Sequence, residues 1–411
     1  MAAFPLCAAE ESGTETLTLQ AAISRAISTH PDIVAALADV ESDEAKISQE
    51  ASSARTKFGI SGSYRRSGSS TSGYDSGSGT WSTGLSASQL IYDFGKVRNA
   101  IKAARLTHDA TAATAERTLE TIVSDVCTAY YALNKAERDV AVQKEQYENY
   151  KKRLDWAKSF YSVGTKAKIE VTKAETDLAN SKLSLIKAES SARLARAQLA
   201  SAMGTPAVDG ITVEDILDYE RWEIKLSSAL ETAAENRPDL TAQDLQLAKA
   251  KADLKSAMLD NAPSVSLGAG YGSNGVSAFD SDEWNVSLSL EYQFGDGGYT
   301  KAKVKQAKAD IKSQEAKRES LANDIILEVR TAWLSLIEAD EAIVAARESE
   351  RQAKENLDLA LGRYRAGVGD SLEVSDAVTD YADARTSVNS CLYDHKAAIT
   401  DLKKAMGEVG I

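Results

Sequence analysis

The sequence predicts a mainly α-helical protein with a small β part, organised as a duplicated unit of long helical hairpins and four strands. Two very long stretches contain no Pro and almost no Gly, and they are rich in Ala, Glu, Lys and Leu, which favour helix. Four short segments alternate apolar and polar residues, which is typical of strands. Four motifs recur in the same order, which indicates an internal duplication.

The repeated motifs occur once in each half of the chain, separated by roughly 200 residues. The matched pairs are LTLQAAISRAISTHPDI (17–33) with IKLSSALETAAENRPDL (224–240), YDFG (92–95) with YQFG (292–295), FYSVGTKAKIEV (160–171) with RYRAGVGDSLEV (363–374), and AMG (202–204) with AMG (405–407). They predict a first structural repeat over 17–204 and a second over 225–407. The acidic linker at 205–224 is predicted to pack a short element against the helices.

Each repeat is predicted to contain a helix, two strands, a very long helix and a closing helix. The first helix runs to about residue 56, or about 260 in the second repeat. The predicted strands are 58–66, 81–92, 264–272 and 283–294, joined in pairs by the Gly-, Ser- and Asp-rich loops 66–80 and 273–282. The long helices are 96–161 and 299–364, and the closing helices are 166–203 and 370–406.

Two glycines lie where each long helix is expected to end. Gly164 and Gly367 suit the left-handed conformation that terminates many helices. Each long helix is therefore predicted to fold back on the closing helix as a hairpin. Asp370, just before the last helix, is predicted to be its N-cap.

Composition and charge exclude several functional classes. The chain has 61 Asp+Glu against 48 Lys+Arg, and this acidic balance disfavours a nucleic-acid-binding protein. The three histidines, His30, His108 and His395, match no metal or catalytic spacing. We expect His108 and His395 to be exposed helix residues. The sequence therefore predicts no enzyme, no catalytic or metal site and no cofactor.

The N-terminal segment 1–16 is interpreted as a signal-peptide remnant or a disordered start. Residues 1–9 are apolar and end in small residues, but they lack a basic region and are too short for a complete export signal. Cys7 as a lipid-attachment residue is a second interpretation, and the sequence does not place the true start of the signal.

The strand at 283–294 places Trp284, Val286, Leu288 and Leu290 on one side and polar residues on the other. Such a face could pack against a helix in a soluble domain or face lipid. The strand lengths suit a tilted crossing of a bilayer. Aromatic residues at the strand ends resemble the girdle of a membrane barrel, with Trp81, Tyr92, Trp284 and Tyr292 as its predicted members. Four strands cannot close a barrel, so the lipid interpretation requires an oligomer.

Taken together, these motifs resemble the TolC-like outer-membrane factors over nearly the whole chain, from 17 to 407. The resemblance rests on the HPD/RPD helices, the strand pairs, YDFGKVRNAI, YxxG followed by IEV or LEV, and the closing AMG. It implies a homotrimer with a 12-stranded β-barrel in the outer membrane and a helical α-barrel extending into the periplasm. It also implies a passive exit duct for drug efflux or type I secretion, partnered by a periplasmic adaptor and an inner-membrane pump.

The resemblance further implies two sets of functional residues. Glu373 and Asp376, with Glu170 as their first-repeat counterpart, are expected to narrow the periplasmic entrance. Gly164, Lys166, Lys168, Tyr364 and Gly367 are expected to form the gate and the tip that meets the adaptor. Simpler interpretations stand beside these. Acids favour the first turn of any helix, lysines at a turn are commonly solvated, and Tyr364 could be a packed aromatic.

Two alternative functions remain compatible with the sequence. A soluble periplasmic helical scaffold would be a monomer or dimer without detergent and would form no pore. A periplasmic adaptor would carry one hairpin rather than two. Neither the cargo, whether drug, metal or polypeptide, nor the particular adaptor and pump follows from the residues.

Overall fold

The structure is a computed structural model that describes residues 16–71, 74–206, 212–276 and 281–408. The predicted signal segment 1–16, with Cys7, lies outside the described residues except for Thr16. The helices are α1 (Leu19–Thr29), α2 (Pro31–Ser52), α3 (Lys96–Ser162), α4 (Lys168–Ala202), α5 (Leu226–Asn236), α6 (Pro238–Met258), α7 (Tyr299–Arg365) and α8 (Ser371–Met406). The strands are β1 (Thr16–Leu17), β2 (Lys57–Thr71), β3 (Tyr74–Tyr92), β4 (Thr212–Val213), β5 (Ser264–Gly275) and β6 (Asp282–Glu291).

The two halves of the described chain repeat the same order of elements. The series α1, α2, β2, β3, α3, α4 has its counterpart in α5, α6, β5, β6, α7, α8. The long helices α3 and α7 both contain 67 residues. The predicted fold class, mainly helical with a small sheet and a duplicated hairpin unit, is confirmed. Among the described helices, none is both long enough and apolar enough to span a membrane.

The first helix of each repeat was expected to be continuous, and this was wrong. It is divided into α1 and α2 at His30, and into α5 and α6 at Arg237. Both residues are extended, with ψ of 124° and 118°, because each precedes a proline that disfavours helical backbone. Pro31 and Pro238 then begin the next helix, where a missing N–H costs nothing.

The strands also differ in extent from those predicted. Pairing of β2 with β3 continues through Arg65–Thr80 to Thr71–Tyr74, so most of the predicted loop 66–80 is strand. Gly- and Ser-rich composition suggested a loop, yet these small residues still form backbone hydrogen bonds within an antiparallel ladder. β6 ends at Glu291, so Tyr292 follows the strand instead of ending it.

The chain forms two compact units, one of residues 36–115 and 238–322, the other of 1–35, 116–237 and 323–411. In the first unit, the four strands form one antiparallel sheet in the order β2-β3-β5-β6. The second unit contains both hairpin turns and the parallel pair of β1 with β4. We call them the sheet unit and the helical unit.

In the sheet unit, one carboxylate contacts the beginnings of both long helices. Asp260 lies 2.8 Å from Lys96 Nζ and 2.9 Å from Lys303 Nζ. Hydrogen bonds from these two lysines lower the pKa of Asp260 below its ordinary value. Asp93 and Asp296 cap the same helices, because their carboxylates accept the N–H groups of Val97 and Thr300 at 2.5 and 2.6 Å. These contacts fix where each strand pair passes into helix.

In the helical unit, the linker between the repeats packs against α3. Thr16 and Leu17 pair with Thr212 and Val213, although the residues lie far apart in sequence. The Tyr130 hydroxyl lies 2.9 Å from Leu17 O in β1 and 3.1 Å from Glu214 O, the residue after β4, so its single proton is shared between these two carbonyl oxygens. The core here is formed by buried side chains of α1, α3 and α4 and of the residue that ends α4: Ala22, Ala26, Ile122, Val126, Tyr130, Leu133, Leu199 and Met203.

The repeated AMG motif ends in a glycine where an added side chain would be strained and closely packed. Gly204 has φ +67° and Gly407 has φ +72°, both in the left-handed region. A Cβ on Gly204 would lie 2.8 Å from His30 Cα, and one on Gly407 would lie 3.0 Å from Asn236 O. The closing helix of each repeat therefore ends against the backbone turn between the first two helices of the same repeat.

We expect Gly204→Ala and Gly407→Ala each to destabilise the protein by about 1–3 kcal/mol, because both a positive φ and a close backbone contact oppose the added Cβ. Thermal unfolding of the purified protein measures the effect. Gly362→Ala is the matched control, since Gly362 lies within α7 and a Cβ there would contact nothing within 4 Å. We expect that variant to be neutral or stabilised by about 1 kcal/mol. Equal unfolding temperatures for all three variants would contradict the assignment.

His395 is buried, which corrects the prediction of an exposed residue, whereas His108 is partly exposed. His395 Nε2 lies 3.1 Å from Asp340 Oδ1 on α7. Its ring centroid lies 5.1 Å from that of Tyr219 in the linker, over which Arg347 is stacked. Burial lowers the pKa of His395 below its ordinary value, and the charge of Asp340 opposes part of this effect. From the sequence alone, one polar residue in a helical pattern gives no sign that it is buried beside a carboxylate of a distant helix.

The lowered pKa predicts a pH-dependent stability. Above about pH 6.5 the imidazole is neutral in both the folded and the unfolded chain. Below that pH the unfolded chain binds the proton first, so the stability of the folded protein falls as pH decreases toward the lowered pKa. We expect the free energy of unfolding to fall less between pH 7 and pH 5 in His395→Gln than in wild type. His108→Gln should follow wild type, and an identical pH profile for all three proteins would refute this role of His395.

Candidate functional site: a sheet face and two hairpin turns

One face of the four-stranded sheet is built from apolar side chains in register. Phe58, Ala87, Ala269 and Val286 form one row across the four strands. The next row is formed by Ile60, Leu85, Tyr271 and Trp284. Phe58 is 83% exposed and Leu288 71% exposed, so the described chain leaves this face uncovered. Such a large contiguous apolar surface marks an interaction with lipid or protein.

The opposite face of the sheet is made of small and polar residues. Gly59, Ser86, Gly270 and Asn285 form one row, and Ser61, Gly84, Gly272 and Glu283 form another. Small side chains leave space above this face, and hydroxyl and carboxylate groups suit contact with water. The alternation predicted from the sequence therefore divides the sheet into one apolar and one polar face.

The four predicted girdle residues all lie in exposed positions of the sheet unit. Trp81 stacks against Tyr64, with ring centroids 4.8 Å apart. Trp284 is 75% exposed. Tyr92 ends β3 and contacts Phe94, while Tyr292 follows β6 and contacts Phe294. Tyr92, Trp284 and Tyr292 lie at or beside strand ends, as the sequence predicted, but Trp81 lies inside β3, because that strand begins at Tyr74 and not at residue 81. Their role as a girdle stays a prediction.

The two hairpin turns, at 163–167 and 366–370, have the same backbone conformation. Gly164 and Gly367 adopt φ of +75° and +78°. The amides that follow bond back into the helix, with Thr165 N to Phe160 O at 2.9 Å and Val368 N to Arg363 O at 3.1 Å. A Cβ on either glycine would contact nothing within 4 Å, so each turn is open to the surroundings. Lys166 is half-buried and Lys168 exposed, and neither has an ion-pair partner among the described residues.

The second turn carries the predicted acidic pair. Asp370 caps α8 by accepting the N–H of Leu372 at 3.1 Å, as predicted. Glu373 Oε1 accepts a hydrogen bond from Arg363 Nη1 at 2.7 Å, across the turn. Asp376, one helical turn later, is exposed and has no ion-pair partner in the described chain. Arg363 therefore partly neutralises Glu373, a pairing that the sequence does not reveal.

Glu170 and Tyr364 are placed differently from the acidic pair. Tyr364 is only 1% exposed and packs against Phe160 and Trp156. Its hydroxyl and Glu170 Oε2 are both buried without a hydrogen-bond partner among the described residues. Burial raises the pKa of Tyr364, and the charge of Glu170 raises it further. Glu170 therefore contributes one oxygen to the interior of the hairpin contact.

A buried arginine between the two hairpins was missed altogether. Arg153 on α3 is 1% exposed and donates to Asp177 on α4 at 2.6 Å and to Ser371 on α8 at 2.9 Å. In sequence, Arg153 stands in a run of charged residues and gives no signal of burial. Across the described ranges, no cluster of three or more His, Cys, Asp or Glu side chains is arranged to hold a metal ion.

A family model for outer membrane efflux proteins matches residues 22–205 and 229–408. The two matched segments follow the two repeats. The chain belongs to the outer membrane efflux protein family. Family membership places the chain in the outer membrane as an export channel. The two alternative functions, a soluble scaffold and a periplasmic adaptor, were therefore wrong.

Individual members of the efflux protein family agree with this assignment along most of the chain. Protein CyaE of Bordetella pertussis is 25% identical over 327 residues, covering 78% of this chain and 69% of CyaE. Outer membrane protein TolC of Escherichia coli is 24% identical over 407 residues, covering 92% of this chain and 80% of TolC. The open-state crystal structure of the MtrE channel of Neisseria gonorrhoeae has a TM-score of 0.82 at 23% identity, covering 95% of this chain and 88% of MtrE.

Proposed function

We propose that the chain is one protomer of a homotrimeric exit duct, a passive conduit that receives cargo from a periplasmic adaptor and an inner-membrane pump. The observation that carries the proposal is the sheet with one continuous exposed apolar face. β2 and β6 each have only one neighbouring strand in the described sheet. An open edge is not tolerated in lipid, so β2 of one protomer would pair with β6 of the next until 12 strands close a barrel.

The apolar face would then contact outer-membrane lipid, and the polar face would line a water-filled lumen. Trp81, Tyr92, Trp284 and Tyr292 would lie at the two interfaces as an aromatic girdle. The small residues of the polar face support this arrangement, because a wet lumen needs no dense packing. The helical hairpins would extend into the periplasm.

The acidic constriction is proposed for Glu373 and Asp376. Threefold symmetry would place three copies of each carboxylate around one axis, and such a ring attracts cations and repels anions. The exposure of Asp376 supports this role. The buried oxygen of Glu170 instead favours a place inside the closed hairpin contact. Tyr364 would hold that contact, while Gly164, Lys166, Lys168 and Gly367 would form the surface that meets the adaptor.

The lipid-facing assignment is tested by adding one charge to each face of β6. We expect Leu288→Arg to prevent accumulation in the outer membrane, because arginine on the lipid face costs about 2–4 kcal/mol near the bilayer centre. Ser287→Arg is the matched control, since Ser287 is the preceding residue on the polar face. It should insert normally. Membrane fractionation measures both, and normal insertion of Leu288→Arg or failure of Ser287→Arg alone would reverse the assignment of the faces.

The channel and its constriction are tested by single-channel conductance of the detergent-purified protein in a planar bilayer. We expect a small, cation-preferring conductance that increases and loses selectivity in Glu373→Ala/Asp376→Ala. The matched control is Asp380→Ala/Asp383→Ala, which removes two exposed carboxylates from α8 at the same spacing, two helical turns later.

The control variant should keep the wild-type conductance. A larger change in conductance in the control than in Glu373→Ala/Asp376→Ala would indicate that the constriction lies farther along α8. A well-folded wild-type protein that forms no pore would refute the exit duct itself.

A further inference from the structure

The two long helices begin with runs of basic residues, although the chain is acidic overall. The chain has 61 Asp+Glu against 48 Lys+Arg. The segments 96–108 at the start of α3 and 299–309 at the start of α7 nevertheless contain four Lys or Arg residues each and no acidic residue. At roughly 1.5 Å per residue, these segments cover about the first 16–20 Å of each helix. Basic charge is therefore concentrated in one region of the sheet unit, just beyond the strands.

One lysine of each run is paired within the chain, and the other three residues are not. Lys96 and Lys303 contact Asp260 at 2.8 and 2.9 Å. The other three residues of each run have the same spacing, i, i+4 and i+7, which places them on one face of the helix, roughly opposite the paired lysine. They are Arg98, Lys102 and Arg105 in α3, and Lys301, Lys305 and Lys308 in α7. We call these six residues the basic band.

The charges of the basic band are not compensated by the described chain. All six residues are exposed, and none has an ion-pair partner among the described residues. The helix dipole disfavours cations near a helix N-terminus, so their position adds a further unfavourable term. The N-terminal amides are already used, because Asp93 and Asp296 accept the N–H groups of Val97 and Thr300. An external anion would therefore be bound by the side chains of the band.

Exposed aromatic side chains lie between the apolar face of the sheet and the basic band. Tyr92 and Phe94 stand between β3 and α3, and Tyr292, Phe294 and Tyr299 stand where β6 passes into α7. Along either connection, the order is therefore apolar, aromatic and basic. This order is typical of a membrane surface, where aromatic rings lie at the headgroups and long basic side chains extend beyond them.

Neither a neighbouring protomer nor the lumen suits both halves of the basic band. α3 follows β3, which has a strand on each side in the sheet, so a protomer added at β2 or β6 would lie beside other helices. In the lumen, a ring of basic side chains would repel the cations that the proposed acidic constriction attracts. Anionic groups at the membrane surface complement α3 and α7 alike.

We propose that the basic band binds phospholipid headgroups of net negative charge in the periplasmic leaflet of the outer membrane. This inference rests on the proposed function, because it requires the sheet to lie in lipid and the helices to lead into the periplasm. Arginine and lysine both bind phosphate oxygens through charge-assisted hydrogen bonds. Clusters of about four to eight basic residues at a membrane surface recognise anionic lipids in the same way.

Lipid selectivity of the reconstituted full chain tests the proposal. The protein is placed in phosphatidylcholine vesicles that contain a trace of spin-labelled phosphatidylglycerol or spin-labelled phosphatidylcholine. Electron paramagnetic resonance then measures the fraction of each label that is immobilised at the protein. We expect wild type to prefer the anionic label several-fold. Raising the salt concentration from about 0.05 to about 0.5 M should reduce this preference, because exposed charges are screened.

Two triple variants remove the halves of the basic band separately: Arg98→Gln/Lys102→Gln/Arg105→Gln and Lys301→Gln/Lys305→Gln/Lys308→Gln. Each should lower the preference for the anionic label by at least half, and the variant that combines them should immobilise both labels equally. The matched control is Lys144→Gln/Lys151→Gln/Lys152→Gln, which removes three exposed charges near the far end of α3. It should keep the wild-type preference.

Equal immobilisation of the two labels by wild type, or an unchanged preference in the combined variant, overturns the proposal. If a triple variant does not reconstitute, Arg98→Gln and Lys305→Gln alone decide the question, and each should show a smaller loss of preference in the same direction. A combined variant with unchanged lipid preference but stronger cation selectivity in single-channel recordings would show that the band lines the lumen.

The two proposals fail in distinguishable ways. If well-folded wild type forms no pore, the exit duct is wrong. If wild type forms a pore but does not distinguish the two labels, only the binding of anionic phospholipid is wrong.

Discussion

The exposed apolar face of the sheet is the constraint on which the rest of the molecule depends. Rows such as Phe58, Ala87, Ala269 and Val286 place hydrophobic side chains side by side across four strands, and the described chain does not cover them. Apolar surface of this extent is unstable in water. This face therefore needs an apolar environment, and in the proposed duct the outer-membrane lipid and the strands of neighbouring protomers supply it.

The two repeats use the same kinds of residue at equivalent places to divide, end and begin their helices. Pro31 separates α1 from α2, and Pro238 separates α5 from α6. Gly204 and Gly407 follow the closing helices α4 and α8, and each packs against the backbone just before one of these prolines. The carboxylates of Asp93 and Asp296 cap the long helices α3 and α7 at equivalent places, just after the second strand of each pair. The repeats differ near the turns, where Arg153 of α3 pairs with Asp177 of α4, while α8 contributes the hydroxyl groups of Ser371 and Ser375 to the same contact.

Periodic and repeated features could be predicted from the sequence, whereas contacts between distant elements could not. The long helices follow from composition, and the faces of the strands follow from alternation. The turn glycines follow from repetition. The length of β2 could not be read from its Gly- and Ser-rich end, because ladder pairing depends on the partner strand. Burial of Arg153 and His395 depends on helices distant in sequence, and polar residues on a helix are ordinarily expected at its surface.

The pairing of β1 with β4 has a consequence for the order in which the protein can fold. Thr16 and Leu17 pair with Thr212 and Val213, which follow the whole first repeat, and the Tyr130 hydroxyl lies between Leu17 O and Glu214 O. During synthesis and export, the core of the first repeat is therefore complete only after the linker has been made and has packed against it. A contact this remote in sequence slows folding. The first repeat alone would lack a strand that the next segment of the chain provides, so the two halves are consecutive in sequence but not independent in assembly.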